Sequence, residues 1–375
     1  MHYLDNAATT RVLPEAAQAA LTVMTEGFGN PSSQHRLGIQ AGKLLKQSRE
    51  AIAAALGVQA GEITFTSGGT EAINTAIFGA AYKNRHIGRH IIITAIEHAA
   101  VRNAAARLQA EGFTVTALQP DANGQISVDT FADALRDDTV LASIMLVNNE
   151  VGTILPVEEM GRLLHSRCPK ALFHIDAVQG LFRVPLTPQK WNCQLMSVSG
   201  HKIGAPKGIG ALYMQKGTNL RPYIVGGGQE NGMRSGTEPL PGIAAFAKAC
   251  RIRSNAMHAD NQHIAALHQY LQQQITAELP WAEWNSAEGV PHIANLSFPG
   301  CKSEVMLRVL EGDEVYVSAG SACSRGKESP VLKAIGLSKA RIDSALRISF
   351  APWNTKEDID ALIAGLKKGA AMLRR

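Results

Sequence analysis

Leu195-Met-Ser-Val-Ser-Gly-His-Lys-Ile203 is the stretch whose reading decides the fold. Apolar residues alternate with serine up to Ser199, as in a short strand, and Lys202 follows at once, next to His201. The glycine-rich turn Gly204-Ala-Pro-Lys-Gly-Ile-Gly210 then leads into a second strand. In an open α/β sheet, ligands sit in the crevice beyond the strand ends. A lysine just past a strand end therefore faces that crevice, where a desolvated amine can form an imine with an aldehyde. Taken alone, Lys202 reads as an ordinary turn lysine, and it is the rest of the chain that overturns this.

Strand candidates surround this stretch at 63–66, 90–95, 114–118, 140–147, 171–175 and 210–214. Several are near-continuous apolar runs, as expected of strands covered on both faces. Helical patterns at 70–82, 99–111, 128–136 and 157–167 separate most of them. That alternation predicts a three-layer α/β domain around a mostly parallel sheet of seven strands, counting 195–198. The connection between 198 and 210 is too short for a helical crossover, so that part of the sheet should be antiparallel. Two further helices are expected at 15–26 and 36–56. From Pro241 the pattern changes to a long helix at 242–278, then strands at 293–298, near Val315 and at 346–350, and helices at 302–311 and 356–373. The expected division is a large domain, 15–245, and a smaller α+β domain formed by 1–14 with 246–375.

Composition narrows the function. The chain has 375 residues, 45% hydrophobic and 18% charged, as in ordinary globular proteins. No apolar run reaches the length of a membrane span, and no basic-then-apolar leader opens the chain, so a cytoplasmic enzyme with no membrane partner is expected. The net charge of +5 comes from scattered basic residues and gives little reason to expect direct nucleic-acid binding. The five cysteines, Cys168, Cys193, Cys250, Cys301 and Cys323, show no C-x-x-C spacing, which argues against a metal cage, and their odd number in an intracellular context argues against a disulfide framework.

Chemistry-bearing residues follow the strand ends. Ser67-Gly-Gly-Thr70 joins a strand to a helix N-terminus, a place for a phosphate or simply a capped turn. His98 follows the 90–95 strand, Asn149 the 140–147 strand and Asp176 the 171–175 strand, with Gln179 three residues on. A parallel sheet gathers these along one edge. A phosphate cradle, a carboxylate, an imidazole, amides and a lysine together suit a phosphorylated aromatic aldehyde such as pyridoxal phosphate.

Taken together, the motifs resemble the cysteine desulfurases of the NifS/IscS type, fold-type I pyridoxal-phosphate enzymes of the class V aminotransferase group. The carriers are Leu4-Asp-Asn-Ala-Ala-Thr-Thr10, Thr66-Ser-Gly-Gly-Thr-Glu71, Glu97-His98, Asn148-Asn-Glu-Val-Gly152, His174-Ile-Asp-Ala-Val-Gln179, Ser199-Gly-His-Lys202, Arg234-Ser-Gly-Thr237 and Ser318-Ala-Gly-Ser-Ala-Cys323. The resemblance implies Lys202 as the Schiff-base lysine, Asp176 as partner of the pyridine nitrogen, and His98 on the ring face. It implies Gly69, Thr70, Ser199 and His201 around the phosphate, and Asn149 and Gln179 at the ring and its hydroxyl. Thr237 would reach the phosphate of a neighbouring subunit, hence a homodimer. Arg347 would bind the carboxylate of L-cysteine, with Asn149 beside it. Cys323, in a run of small residues with Arg325 and Lys327 nearby, would take the sulfur as a persulfide. An acceptor protein of iron–sulfur assembly or tRNA thiolation would then receive it. Selenocysteine lyase, or another lyase of the group, is the nearest rival reading, and a degenerate sulfur-assembly scaffold is the non-enzymatic one.

Overall fold

The computed structural model describes residues 1–285, 289–320 and 328–374. The chain opens with strand β1 (His2–Tyr3) and helices α1 (Pro14–Thr25) and α2 (Arg36–Leu56). Alternation follows: β2 (Ile63–Thr66), α3 (Gly69–Asn84), β3 (His90–Thr94), α4 (Ala99–Ala110), β4 (Thr114–Leu118), α5 (Val128–Ala134), β5 (Thr139–Met145), α6 (Val157–Arg167), β6 (Leu172–Asp176), β7 (Leu195–Ser199) and β8 (Gly210–Met214). The long α7 (Leu240–Glu278) leads to β9 (Glu283–Trp284), β10 (Ile293–Ser297), α8 (Ser303–Gly312) and β11 (Val315–Tyr316). Then come α9 (Pro330–Ala334), α10 (Lys339–Asp343), β12 (Ala345–Ser349) and α11 (Lys356–Leu373).

Strands β2 to β8 form one seven-stranded sheet in the order β2-β8-β7-β6-β5-β3-β4. The ladders from β7 through β6, β5 and β3 to β4 are parallel. β8 runs antiparallel to both β7 and β2, as the short connection after Ser199 requires. Strands β3, β5 and β7 are buried at every residue, which accounts for their largely apolar sequences.

The double reversal at β8 leaves β2 running in the same direction as β7. The C-terminal ends of β2, β3, β5, β6 and β7 therefore lie along one edge, where Thr66 and Ser199 both pair with Gly210. A Cβ on Gly210 would sit 2.7 Å from Val198 O and 2.8 Å from Gly68 Cα. Only glycine lets the two turns approach so closely there.

Two of the hydrophobic cores are shared by α7 and the lead-in. One, under the large sheet, contains Phe65, Ile144, Phe173 and Phe246. The other contains Leu271, Phe298, Leu346 and Leu366 and packs on the antiparallel sheet β12-β10-β9. Helix α7 contributes Ile243 to the first core and Ile264, Leu271 and Ile275 to the second. The lead-in also joins them, with Leu4 in the second core and Ala7 in the first. Among the described residues, no helix is long and apolar enough to cross a membrane.

Candidate active site

Turn Ser67–Gly68 carries the chain from β2 into α3. Glu71 Oε2 accepts from Ser67 N at 2.9 Å, and Glu71 Oε1 accepts from Arg234 Nε at 2.9 Å, so the turn is braced from outside. A Cβ on Gly69 would come within 2.9 Å of Val178 Cγ2. Cβ atoms on Gly68 or Gly69 would also lie 4.0 Å from Ser199 Oγ. That hydroxyl is buried and has no hydrogen-bond partner among the described residues. A buried orphan hydroxyl beside a helix N-terminus and bare glycine backbone is a cradle for an anion.

One cavity of about 230 Å³ opens at this strand edge. Gly69, Thr70, His98, Asn149 and Asp176 line it, together with Gln179, Ser199, His201, Lys202 and Arg347. Residues from the ends of five strands thus share one space. Thr237 is exposed and does not line it. Cys323 lies outside the described residues.

Lys202 sits in the single helical turn Gly200–Lys202 that follows β7. Its Nζ donates to Ala7 O and Ala8 O, both at 2.7 Å. The same lead-in touches its neighbours: Gln179 Nε2 donates to Ala7 O at 2.9 Å, and Thr9 Oγ1 lies 3.2 Å from His201 Nδ1.

Asp176, the last residue of β6, accepts from Val178 N at 3.0 Å. Burial pushes its carboxyl up to about 6, against the pull of that N–H and of Lys202. Burial, with Lys202 and Arg102 adding to it, pushes His98 down to about 4. His98 Nδ1 caps α4 by accepting from Ala100 N at 3.1 Å, so in the neutral ring the proton resides on Nε2. His201 is likewise pushed down to about 4, chiefly by burial.

Beneath the site, Glu97 Oε1 accepts from Thr94 Oγ1 at 2.8 Å and from Met145 N at 2.9 Å. Burial, with Asp176 nearby, pushes this carboxyl up to about 8.

Arg347 comes from β12 in the antiparallel sheet and is 1% exposed. Nη1 donates to Asn149 O at 2.9 Å and Nη2 to Asp5 Oδ1 at 2.7 Å. Ser318 pairs with Arg347 through two backbone bonds, of 3.1 and 2.7 Å. Sequence reasoning placed the arginine but not Asp5, nor the carbonyls of Ala7 and Ala8.

The four described cysteines, Cys168, Cys193, Cys250 and Cys301, are all buried. Burial holds the thiols of Cys193 and Cys250 far above their usual range, which keeps them un-ionised.

Known proteins resemble this chain along nearly its whole length. The Aminotransferase class-V family matches residues 2–362. Cysteine desulfurase IscS of Methanosarcina thermophila is 40% identical over 365 residues, which cover 96% of this chain and 90% of that protein. A solved NifS-like protein superposes with a TM-score of 0.94 at 34% identity, covering 99% of each chain. SspA, solved in complex with cysteine, is 34% identical with a TM-score of 0.82, over 95% of this chain and 100% of that one. The chain belongs to the class-V aminotransferase family, in the group of NifS/IscS-type cysteine desulfurases.

Proposed function

We propose that the protein is a pyridoxal 5'-phosphate-dependent cysteine desulfurase. It takes sulfur from L-cysteine, releases L-alanine, and holds the sulfur as a persulfide on Cys323 for an acceptor protein of iron–sulfur assembly or tRNA thiolation. The observation that carries this reading is the convergence of Lys202, Asp176, His98 and the Ser67–Thr70 cradle on one cavity. The orphan hydroxyl of Ser199 and the crowded Cα of Gly69 fit a phosphate, and the buried carboxyl of Asp176 fits a protonated ring nitrogen. When bound, pyridoxal phosphate supplies an electron sink for chemistry at the substrate Cα and Cβ.

Each residue has a task in this reading. Gly69, Thr70, Ser199 and His201 hold the phosphate, joined by Thr237 of a second copy in a homodimer. Asp176 keeps the ring nitrogen protonated, and Asn149 and Gln179 orient the ring. His98 would hold the ring face and, being neutral, can pass a proton. Arg347 receives the substrate carboxylate. Lys202 takes the Cα proton and later returns one. The Cys323 thiolate bonds to the substrate sulfur as the carbon–sulfur bond breaks, and the carbon is protonated to give alanine. In this reading the protein is cytoplasmic and organised as a large domain, 15–245, and a small one, 1–14 with 246–375.

Borohydride reduction of the holoenzyme tests the lysine directly. The cofactor should become fixed to the peptide containing Lys202, and a label on a different lysine would refute the reading.

A further inference from the structure

Arg347 is a cation at 1% exposure, and a charge buried that deeply requires a counter-ion. The counter-ion is Asp5, brought from the lead-in to 2.7 Å from Nη2. Asp5 is held by backbone: it bridges Ser349 of β12, and its carbonyl accepts from Tyr3 Oη at 3.1 Å. Its side chain is 19% exposed, so water screens it poorly. Arg347 lines the cavity and Asp5 does not. The guanidinium offers five donors in a rigid fork, and its Nε has no partner among the described residues. A carboxylate entering the cavity would thus share one guanidinium with Asp5, and two carboxylates at one site repel each other.

We propose that Asp5 sets the enzyme's affinity for the substrate carboxylate: as resting counter-ion of Arg347, it weakens the arginine's hold on the incoming amino acid. The inference rests on the reading in which Arg347 receives that carboxylate. It has a consequence for turnover. L-alanine carries the same carboxylate as L-cysteine, so a weakened hold also favours release of the product.

The test uses the holoenzyme and two half-substrates followed by calorimetry. 3-Mercaptopropionate carries the thiol and carboxylate without the amine, and cysteamine carries the thiol and amine without the carboxylate. Asp5→Asn keeps an acceptor for Nη2 and removes the charge. It should bind 3-mercaptopropionate on the order of tenfold more tightly than the wild type, and cysteamine no more tightly. Asp5→Ser, also uncharged, should tighten binding in the same way and serves if the amide disturbs folding. If Arg347→Gln loses 3-mercaptopropionate while both Asp5 variants bind it unchanged or more weakly, the role of Asp5 is overturned and that of Arg347 stands. Undiminished binding by Arg347→Gln overturns the carboxylate role itself, and the proposal with it.

Discussion

Ser199 ends β7 with a buried hydroxyl that meets no protein partner among the described residues. An unsatisfied buried hydroxyl costs stability unless a ligand completes it. Ser199→Ala should therefore leave the apoprotein as stable as the wild type, or more stable by about 1 kcal/mol. The same change should weaken cofactor binding on the order of tenfold, since a hydrogen bond to a charged phosphate is lost. Denaturant melts of the apoprotein and a cofactor titration read the two effects separately. A less stable apoprotein with unchanged cofactor affinity would give Ser199 a purely structural role. Residues such as Lys202, Asp176 and His98 were legible because each lies at a strand end or within a few residues of one, and strand ends of a parallel sheet converge. Asp5 was not legible: its partner Arg347 lies 342 positions away, and no local pattern records such a pairing.

At the scale of elements, two buried histidines cross-link the sheet. His174 on β6 bonds Ser143 Oγ of β5 and Ser197 Oγ of β7, each at 2.8 Å. His90 on β3 likewise bonds Thr116 Oγ1 and Thr139 Oγ1, each at 2.8 Å. Each ring fits only one register of its three strands. Burial pushes His174 down to about 3, whereas an unfolded histidine titrates near 6.5. Between those values the unfolded chain binds the extra proton. This contribution is complete above pH 6.5 and is lost as pH falls, at about 1.4 kcal/mol per pH unit. His174→Gln should thus lose less stability than the wild type between pH 7 and pH 5, by about 2 kcal/mol. Parallel stability curves for the two proteins, from denaturant melts at each pH, would contradict this. The longer strands and helices were legible from their apolar runs and periodicity. β1, β9, α9 and α10 were not: β1 and β9 have two residues each, and the five residues of α9 or α10 span little more than one helical turn.

At the scale of the molecule, the 39 residues of α7 and the lead-in run through both cores, so the site is assembled from both ends of the chain. The sequence motifs gave this assembly a family but not its contacts, since Lys202 meets Ala7 and Ala8 across some 195 positions. Thr237 is exposed and does not line the cavity, and the proposed reading gives it to the site of a second copy. The protein should sediment as a dimer, and Thr237→Ala should weaken cofactor binding several-fold without dissociating it. An active monomer whose cofactor affinity ignores that change would contradict the shared site. The claim that joins all of these parts is sulfur transfer through Cys323. Its most direct measurement is mass spectrometry of the holoenzyme after brief exposure to L-cysteine alone, with alanine quantified in the same sample. The account predicts one added sulfur atom on the peptide containing Cys323, one alanine formed for each sulfur bound, and neither from Cys323→Ala. Alanine formed at the wild-type rate by Cys323→Ala, or sulfur found on another cysteine, would contradict it.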